Sequence, residues 1–262
     1  MDQETVLIRR EPPLGWLVLN RPQVRNALNL ETWRRIAEGV GMLETDPDVR
    51  VIILRGADEE AFISGADISE FNELRSNAEK AKSFREWPNK AIASLVNSTK
   101  PVIAMIAGIC IGGGVQVALS CDIRIAARGT RFGIPAARLG LAYPLDGVVA
   151  LMQTVGAPNA REILLSARLF DAEEAFAMGL IHKLVGVQEL EEFVRQYAEQ
   201  MAKNAPFTMA AAKVGIREAL KDGTDRDHKL VDELVARCFN SQDYREGVRA
   251  FSEKRRPKFS GR

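Results

Sequence analysis

Two small-residue turns stand where backbone amides can do chemistry. Val51-Ile52-Ile53-Leu54 leads through a short loop to Ser64-Gly65-Ala66-Asp67, and the run Val102 to Ala107 leads to Gly112-Gly113-Gly114. Small residues at such turns leave N–H groups uncovered where a helix begins. Either turn alone is equally a tight strand-to-helix connection with close packing. Two of them, brought together, would grip one developing negative oxygen from both sides. That chemistry is the polarisation of a carbonyl and the stabilisation of the enolate or tetrahedral species it becomes. The glycines fit neither G-x-x-x-x-G-K-[ST] nor G-x-G-x-x-G, which argues against a phosphate loop or a dinucleotide fingerprint.

The surrounding pattern supplies elements to hold these turns. Thr5 to Arg9 and Trp16 to Leu19 read as a hairpin about a turn carrying Pro12, Pro13 and Gly15. Asn29 is placed to N-cap a helix running to about Leu43, with Glu31 in its first turn. A strand is expected over 51–55, then the Gly65 turn and a short helix from Ile68 to Leu74. Segment 75–87 is charged and aperiodic, a connection or an exposed helix. A helix from Pro88 to Ser98 precedes a strand over 102–107. An apolar helix then runs to about Ser120, and Cys121 to Ala127 reads as a strand. The alternation argues for an α/β core. Strand, glycine turn and helix recur about every 50 residues, a repeated unit with two clear copies.

From about residue 146 the pattern is helical. Asp171 and Glu174 form a D-x-x-E cap, and Gly179 stops that helix. Leu190, Phe193, Val194, Tyr197 and Met201 share one helical face. Further helices are expected near 207–220 and 226–238. We divide the chain into a core, 1–195, and a helical region, 196–262, that packs on the core, on neighbouring subunits or on both.

Composition narrows the partners. The 262 residues are 46% hydrophobic with a net charge of +1, so nothing in the bulk charge favours nucleic acid or an anionic membrane. Aromatic and basic residues are not interleaved as in RNA-binding surfaces. No apolar stretch approaches the roughly 20 residues that span a bilayer. Cys110, Cys121 and Cys238 match neither a disulfide framework nor a zinc site. The acidic start Met1-Asp2-Gln3-Glu4 lacks a signal-peptide layout. A soluble, cytoplasmic protein without metal is expected.

Taken in order, the motifs resemble the enoyl-CoA hydratase/isomerase (crotonase) superfamily nearly end to end. They include Leu19-Asn20-Arg21-Pro22 with Asn26-Ala27-Leu28, Ala61-Phe62 with Gly65-Ala66-Asp67-Ile68, and Lys100-Pro101-Val102-Ile103-Ala104. Ala107-Gly108, the triple glycine, Cys121-Asp122, Phe132-Gly133-Ile134-Pro135 and Asp171-Ala172-Glu173-Glu174-Ala175 with Gly179-Leu180 follow. Asp243, Glu246-Gly247, Phe251 and Glu253-Lys254-Arg255 complete the series.

The resemblance implies a spiral of ββα units with C-terminal helices that build homotrimers or dimers of trimers. It implies an acyl-CoA thioester substrate and no cofactor beyond the CoA moiety. By correspondence, the N–H groups of Ala66 and Gly113 would form the oxyanion hole. The backbone of Ala66, Asp67, Ile68 and Ser69 would run beside the CoA adenine and pantetheine. Arg25 would lie near the CoA phosphates, or be a solvated surface arginine.

The chain departs from the family's hydratases at their two glutamates. Gln116 and Ala136 stand in those places. Glutamine orients a water but has no proton-transfer pKa near neutrality, and alanine does neither. A replacement is sought in Asp146, either an acid–base group or a helix cap. Tyr143 is a proton donor or a pocket wall. Glu70 and Glu73 are solvated, unless Glu70 approaches the acyl pocket. His182 and His228 share no partner or metal spacing, and Cys110 reads as a buried structural thiol. Arg131 and Arg138 face either a subunit contact or the acyl pocket. The basic tail Lys254-Arg255-Arg256-Pro257-Lys258 holds CoA phosphates or is a solvated terminus. The leading expectation is an enolate-stabilising enzyme of this family; the alternative is an acyl-CoA-binding protein on the same scaffold.

Overall fold

A computed structural model describes residues 4–70, 79 and 84–262. Most of segment 75–87, the end of the expected helix from Ile68 to Leu74, and Glu73 lie outside the described residues.

The chain opens with strands β1 (Val6–Glu11) and β2 (Leu14–Leu19), paired antiparallel. Gly15 lies within β2 rather than in the turn, which is confined to Pro12 and Pro13. Its hydrogen faces Leu43 and Val49, where a Cβ would meet Leu43 at 2.7 Å. Helix α1 (Leu30–Thr45) begins as its sequence predicts: the Asn29 side chain accepts the Thr32 N–H at 2.9 Å. Strand β3 (Val51–Gly56), helix α2 (Glu86–Asn97) and strand β4 (Val102–Ile106) follow.

Next come β5 (Ile109–Ile111), α3 (Gly113–Leu119), β6 (Ile123–Ala127), β7 (Arg131–Gly133), α4 (Leu145–Ser166) and β8 (Phe170–Asp171). The strand expected from Cys121 starts later, because the Cys121 N–H still bonds to Ala118 in the turn that ends α3. Helix α5 (Ala172–Ala177) is capped by Asp171, whose side chain accepts the Glu174 N–H at 2.8 Å. It ends before Gly179, at φ +77°. Strand β9 (Lys183–Val185) and helices α6 (Leu190–Ala202), α7 (Pro206–Ala219), α8 (His228–Phe239) and α9 (Gln242–Ser252) complete the order. Helix α9 is an element the sequence reading lacks.

Two sheets result. The larger runs β1-β2-β3-β4-β6-β9, parallel from β2 onward; the smaller runs β5-β7-β8. Each strand from β4 to β7 alternates between them: β4 then β5, β6 then β7. The segment after β3 joins the same pattern through a parallel bridge between Ile63 and Cys110. Among the described residues the repeated unit therefore has three copies, and the second is shortened because α3 is only seven residues long. This is the mixed α/β spiral that the resemblance implied.

Strand alternation divides the core. Ile52 and Leu54 face one cluster with Leu17, Ala104 and the α1 residues Ile36 and Val40. Val51 and Ile53 face the other with Trp16, Ile103 and Met105, covered by Leu190, Val194 and Ala198 of α6. Covering both faces suits a largely parallel sheet. The 195/196 division falls inside α6.

Candidate functional site

The strand register brings the two glycine turns to one place. Ile63 donates its N–H to the Ile109 carbonyl at 2.9 Å, and Ile111 donates to the Ile63 carbonyl at 2.9 Å. Segments 61–67 and 109–113 therefore leave the smaller sheet side by side. A Cβ on Gly112 would lie 3.9 Å from the Gly65 Cα. Gly65 has φ +126° and Gly112 φ +56°, backbone that side-chain-bearing residues rarely adopt. Among the described residues, nothing accepts the N–H of Ala66 or of Gly113. Gly113 opens α3, where such unpaired donors are expected.

A third segment, 21–28, clasps the first turn. Leu28 donates to the Gly65 carbonyl at 2.8 Å and accepts the Asp67 N–H at 2.9 Å. Ser64 donates to the Arg25 carbonyl at 3.0 Å, and the buried Asn26 amide donates to Ala61 at 2.7 Å. These bonds hold Arg25 and Asn26 in the left-handed region, at φ 50° and 55°. The Arg25 side chain is exposed.

Asp67 is committed to the fold. Arg21 lies 2.9 Å from it, and Ser69 donates both its hydroxyl and its N–H. Burial opposes the charge, but hydrogen bonds from Ser69 and Arg21 hold the carboxyl below its usual range. The Ile68 and Ser69 side chains are exposed beyond it. Glu70 corrects the sequence reading. It is not a solvated carboxylate, because it accepts the Leu30 N–H at 3.0 Å in the first turn of α1.

Helix α4 packs against α3 and carries Asp146 in its first turn. The capping alternative for Asp146 is corrected: the N-cap is Pro144, and no side chain bonds there. Asp146 is exposed, and its carboxylate has no partner among the described residues. Gln116 is half-buried three residues beyond Gly113, on the same side of α3. Ala136 is half-buried against the core in the turn Pro135–Leu139. Tyr143 forms a wall: its ring covers Gly147 so closely that a Cβ there would sit 2.6 Å from Cε1. Burial pushes its phenol above the ordinary range, and its hydroxyl is buried without a partner among the described residues.

Other candidates fall into structural places. Cys110 is fully buried, and burial pushes its thiol upward. His182 accepts the Arg124 N–H at Nδ1, 3.1 Å away. Burial, then the Arg124 cation, hold its imidazole below the ordinary value. His228, Arg131 and Arg138 are exposed. Arg255 in the tail is bound to Glu246, which also accepts the Lys258 N–H at 2.9 Å. Among the described residues, no group of three His, Cys, Asp or Glu is placed to hold a metal ion. No helix among them is long and apolar enough to cross a membrane.

Two side chains reach the second turn that no residue pattern linked to it. A Cβ on Gly113 would meet Leu28 Cδ1 at 3.2 Å and Trp33 Cζ2 at 3.8 Å. In the sequence Leu28 enters only through the motif Asn26-Ala27-Leu28 and Trp33 not at all, and only the docking of α1 and its preceding loop reveals the contact.

The α/β spiral with paired glycine turns defines a class that comparison makes specific. The enoyl-CoA hydratase/isomerase family matches residues 13–262. The chain is 34% identical over 256 residues to a short-chain-enoyl-CoA hydratase of Clostridium acetobutylicum, covering 98% of this chain and 97% of that protein. It is 33% identical over 259 residues to a crotonyl-CoA hydratase of Syntrophomonas wolfei, covering 99% of each. A crystal structure of an enoyl-CoA hydratase/carnithine racemase from Magnetospirillum magneticum superposes with a TM-score of 0.94 at 36% identity, covering 100% of this chain and 97% of that one. The chain belongs to the enoyl-CoA hydratase/isomerase family.

Proposed function

We propose that the protein processes an acyl-CoA thioester by holding its carbonyl oxygen between the N–H groups of Ala66 and Gly113. The observation that carries this reading is the contact of the two turns, with neither amide bonded to a protein acceptor among the described residues. A thioester carbonyl that becomes an enolate gains charge on oxygen, and a preorganised donor there contributes about 3 to 4 kcal/mol. The edge 66–69, exposed at Ile68 and Ser69, gives the CoA moiety a backbone to lie along, and the Arg25 side chain, exposed and without a partner among the described residues, supplies a cation near it. The hydratase names of the relatives support an acyl-CoA substrate. No metal or further cofactor enters this reading. A cytoplasmic homotrimer or dimer of trimers is part of it, supported by exposed Phe239, Val248 and Phe251 in the C-terminal helices.

The reaction is enolate chemistry other than ordinary two-glutamate hydration. Gln116 and Ala136 occupy the glutamate positions, and each lost acid–base group costs about 10²–10⁴-fold. Asp146, exposed and without a partner among the described residues, is the proton-transfer group we assign. The same two replacements favour the alternative of an acyl-CoA-binding protein without turnover. Crotonyl-CoA and a panel of 3-enoyl, dienoyl, malonyl and halogenated acyl-CoAs distinguish them. Turnover of a panel member with crotonyl-CoA at background supports the proposal. Binding without any turnover supports the alternative, and rapid crotonyl-CoA hydration overturns the exclusion of hydration.

A further inference from the structure

We infer that Leu28 is the positioning residue that couples the two oxyanion donors, fixing one with its backbone and the other with its side chain. The inference rests on the oxyanion reading of Ala66 and Gly113 and extends it to a residue that touches no reacting atom.

Leu28 straddles Ala66. Its N–H bonds to the carbonyl of Gly65, and its carbonyl takes the N–H of Asp67. Ala66 pairs with Leu28 in an isolated parallel bridge. The peptide planes on both sides of Ala66 are thereby fixed, and with them the direction of the Ala66 N–H. The Leu28 side chain, fully buried, continues across to the second turn. Its Cδ1 lies 3.2 Å from the point where Gly113 would carry a Cβ, closer than an ordinary carbon contact. Trp33 backs the same surface at 3.8 Å. Gly114, next along, is held from another side, where a Cβ would meet the Ile63 carbonyl at 2.7 Å.

Register alone does not set the spacing of the two donors. The bridge between Ile63 and Cys110 aligns the strands, but Ala66 and Gly113 each lie three residues beyond it, the second already at the start of α3. Leu28 is a direct connection between them, and side-chain packing at this density transmits small displacements. Its own anchorage is secure: the adjoining bonds of Arg25, Asn26 and Arg21 tie segment 21–28 to segment 61–67. Shortening Leu28 should loosen Gly113 while leaving Ala66 bonded, because the backbone bonds remain.

The test reads polarisation of a bound thioester rather than turnover. Butyryl-CoA labelled with carbon-13 at its carbonyl is bound to the wild-type protein and to Leu28→Ala, Leu28→Met and Gly113→Ala. It is also bound to the double variant Leu28→Ala/Gly113→Ala. Two donors on the oxygen should move the wild-type carbonyl resonance downfield from its free position. Leu28→Ala should lose most of that displacement while its dissociation constant stays within about threefold, because the contact made to the ligand is polarising rather than adhesive. Leu28→Met, which keeps the volume, should restore the displacement. Gly113→Ala should lose it through the clash with Leu28, and the double variant should recover part of it, a non-additive pair.

A displacement in Leu28→Ala equal to wild type overturns the role of Leu28 while the oxyanion reading stands. Should Leu28→Ala fail to fold, the Gly113→Ala and Leu28→Met pair decides: an undiminished displacement in Gly113→Ala, or a lost one in Leu28→Met, overturns it. Wild-type protein that leaves the carbonyl unmoved, or that does not bind butyryl-CoA, overturns the oxyanion reading and this inference with it.

Discussion

Gly65 and Gly112 lie against each other although 46 residues separate them: a Cβ added to Gly112 would be 3.9 Å from the Gly65 Cα. Both have positive φ. Alanine at Gly112 is strained by about 1–3 kcal/mol, because φ +56° with ψ −111° is a conformation that side-chain-bearing residues rarely adopt. Gly112→Ala should therefore lower the melting temperature modestly and weaken acyl-CoA turnover more than binding. Unchanged kinetics would show that the geometry of this turn does not matter to the site.

Gly114→Ala tests packing rather than backbone strain. A Cβ would press on the Ile63 carbonyl at 2.7 Å and the Ile63 Cβ at 2.8 Å. Overpacking of this kind costs about 1–3 kcal/mol. Urea unfolding should show that loss, and a neutral result would mean that α3 shifts freely against the smaller sheet.

The glycine turns were legible in the sequence because glycine at a strand end has few uses, and their adjacency was not. Adjacency depends on the register between Ile63 and Cys110, a long-range choice that no local pattern of those residues dictates. Asn29 and Asp171 were legible as caps because their side chains act within one helical turn. Glu70 was not, since it reaches Leu30, 40 residues earlier. Helix α9 escaped because Asp243 and Glu246, which would mark a solvated face, are instead turned onto the C-terminal tail. The missing glutamates at Gln116 and Ala136 were visible only against the resemblance to the family.

Asp146 carries the proposed proton transfer. Asp146→Asn keeps shape and removes the basic oxygen, so turnover of the responsive substrate should fall by about 10²–10⁴-fold with affinity little changed. Because Asp146 makes no capping bond, stability should hardly move. Retained turnover would remove Asp146 from the mechanism.

Restoring the absent carboxylates should restore hydration. Gln116→Glu with Ala136→Glu returns a carboxylate to both positions. Hydration of crotonyl-CoA, followed by loss of enoyl-thioester absorbance, should rise by at least about 10²-fold over the wild-type protein. No gain in a folded variant that binds crotonyl-CoA would mean that these positions do not face the reacting carbons.

His182 makes stability pH-dependent. Its imidazole must stay neutral to accept the Arg124 N–H, and burial and the Arg124 cation keep it below its ordinary value of 6.5. The unfolded chain therefore takes up a proton before the folded one does, and stability rises with pH through this range. The contribution is complete above about pH 6.5 and is lost as pH falls toward the folded value. His182→Asn, which keeps an acceptor near the Nδ1 position, should flatten the urea midpoint between about pH 7 and pH 5. An equally steep profile in the variant would assign the dependence to other groups.

In the proposed reaction the two turns stabilise an enolate of a CoA thioester. The most direct measurement of this is exchange of the α-protons of butyryl-CoA in deuterium oxide, followed by proton NMR. We expect exchange well above the protein-free rate, falling with Gly112→Ala and Asp146→Asn. Saturated binding of butyryl-CoA with exchange at the protein-free rate would contradict it.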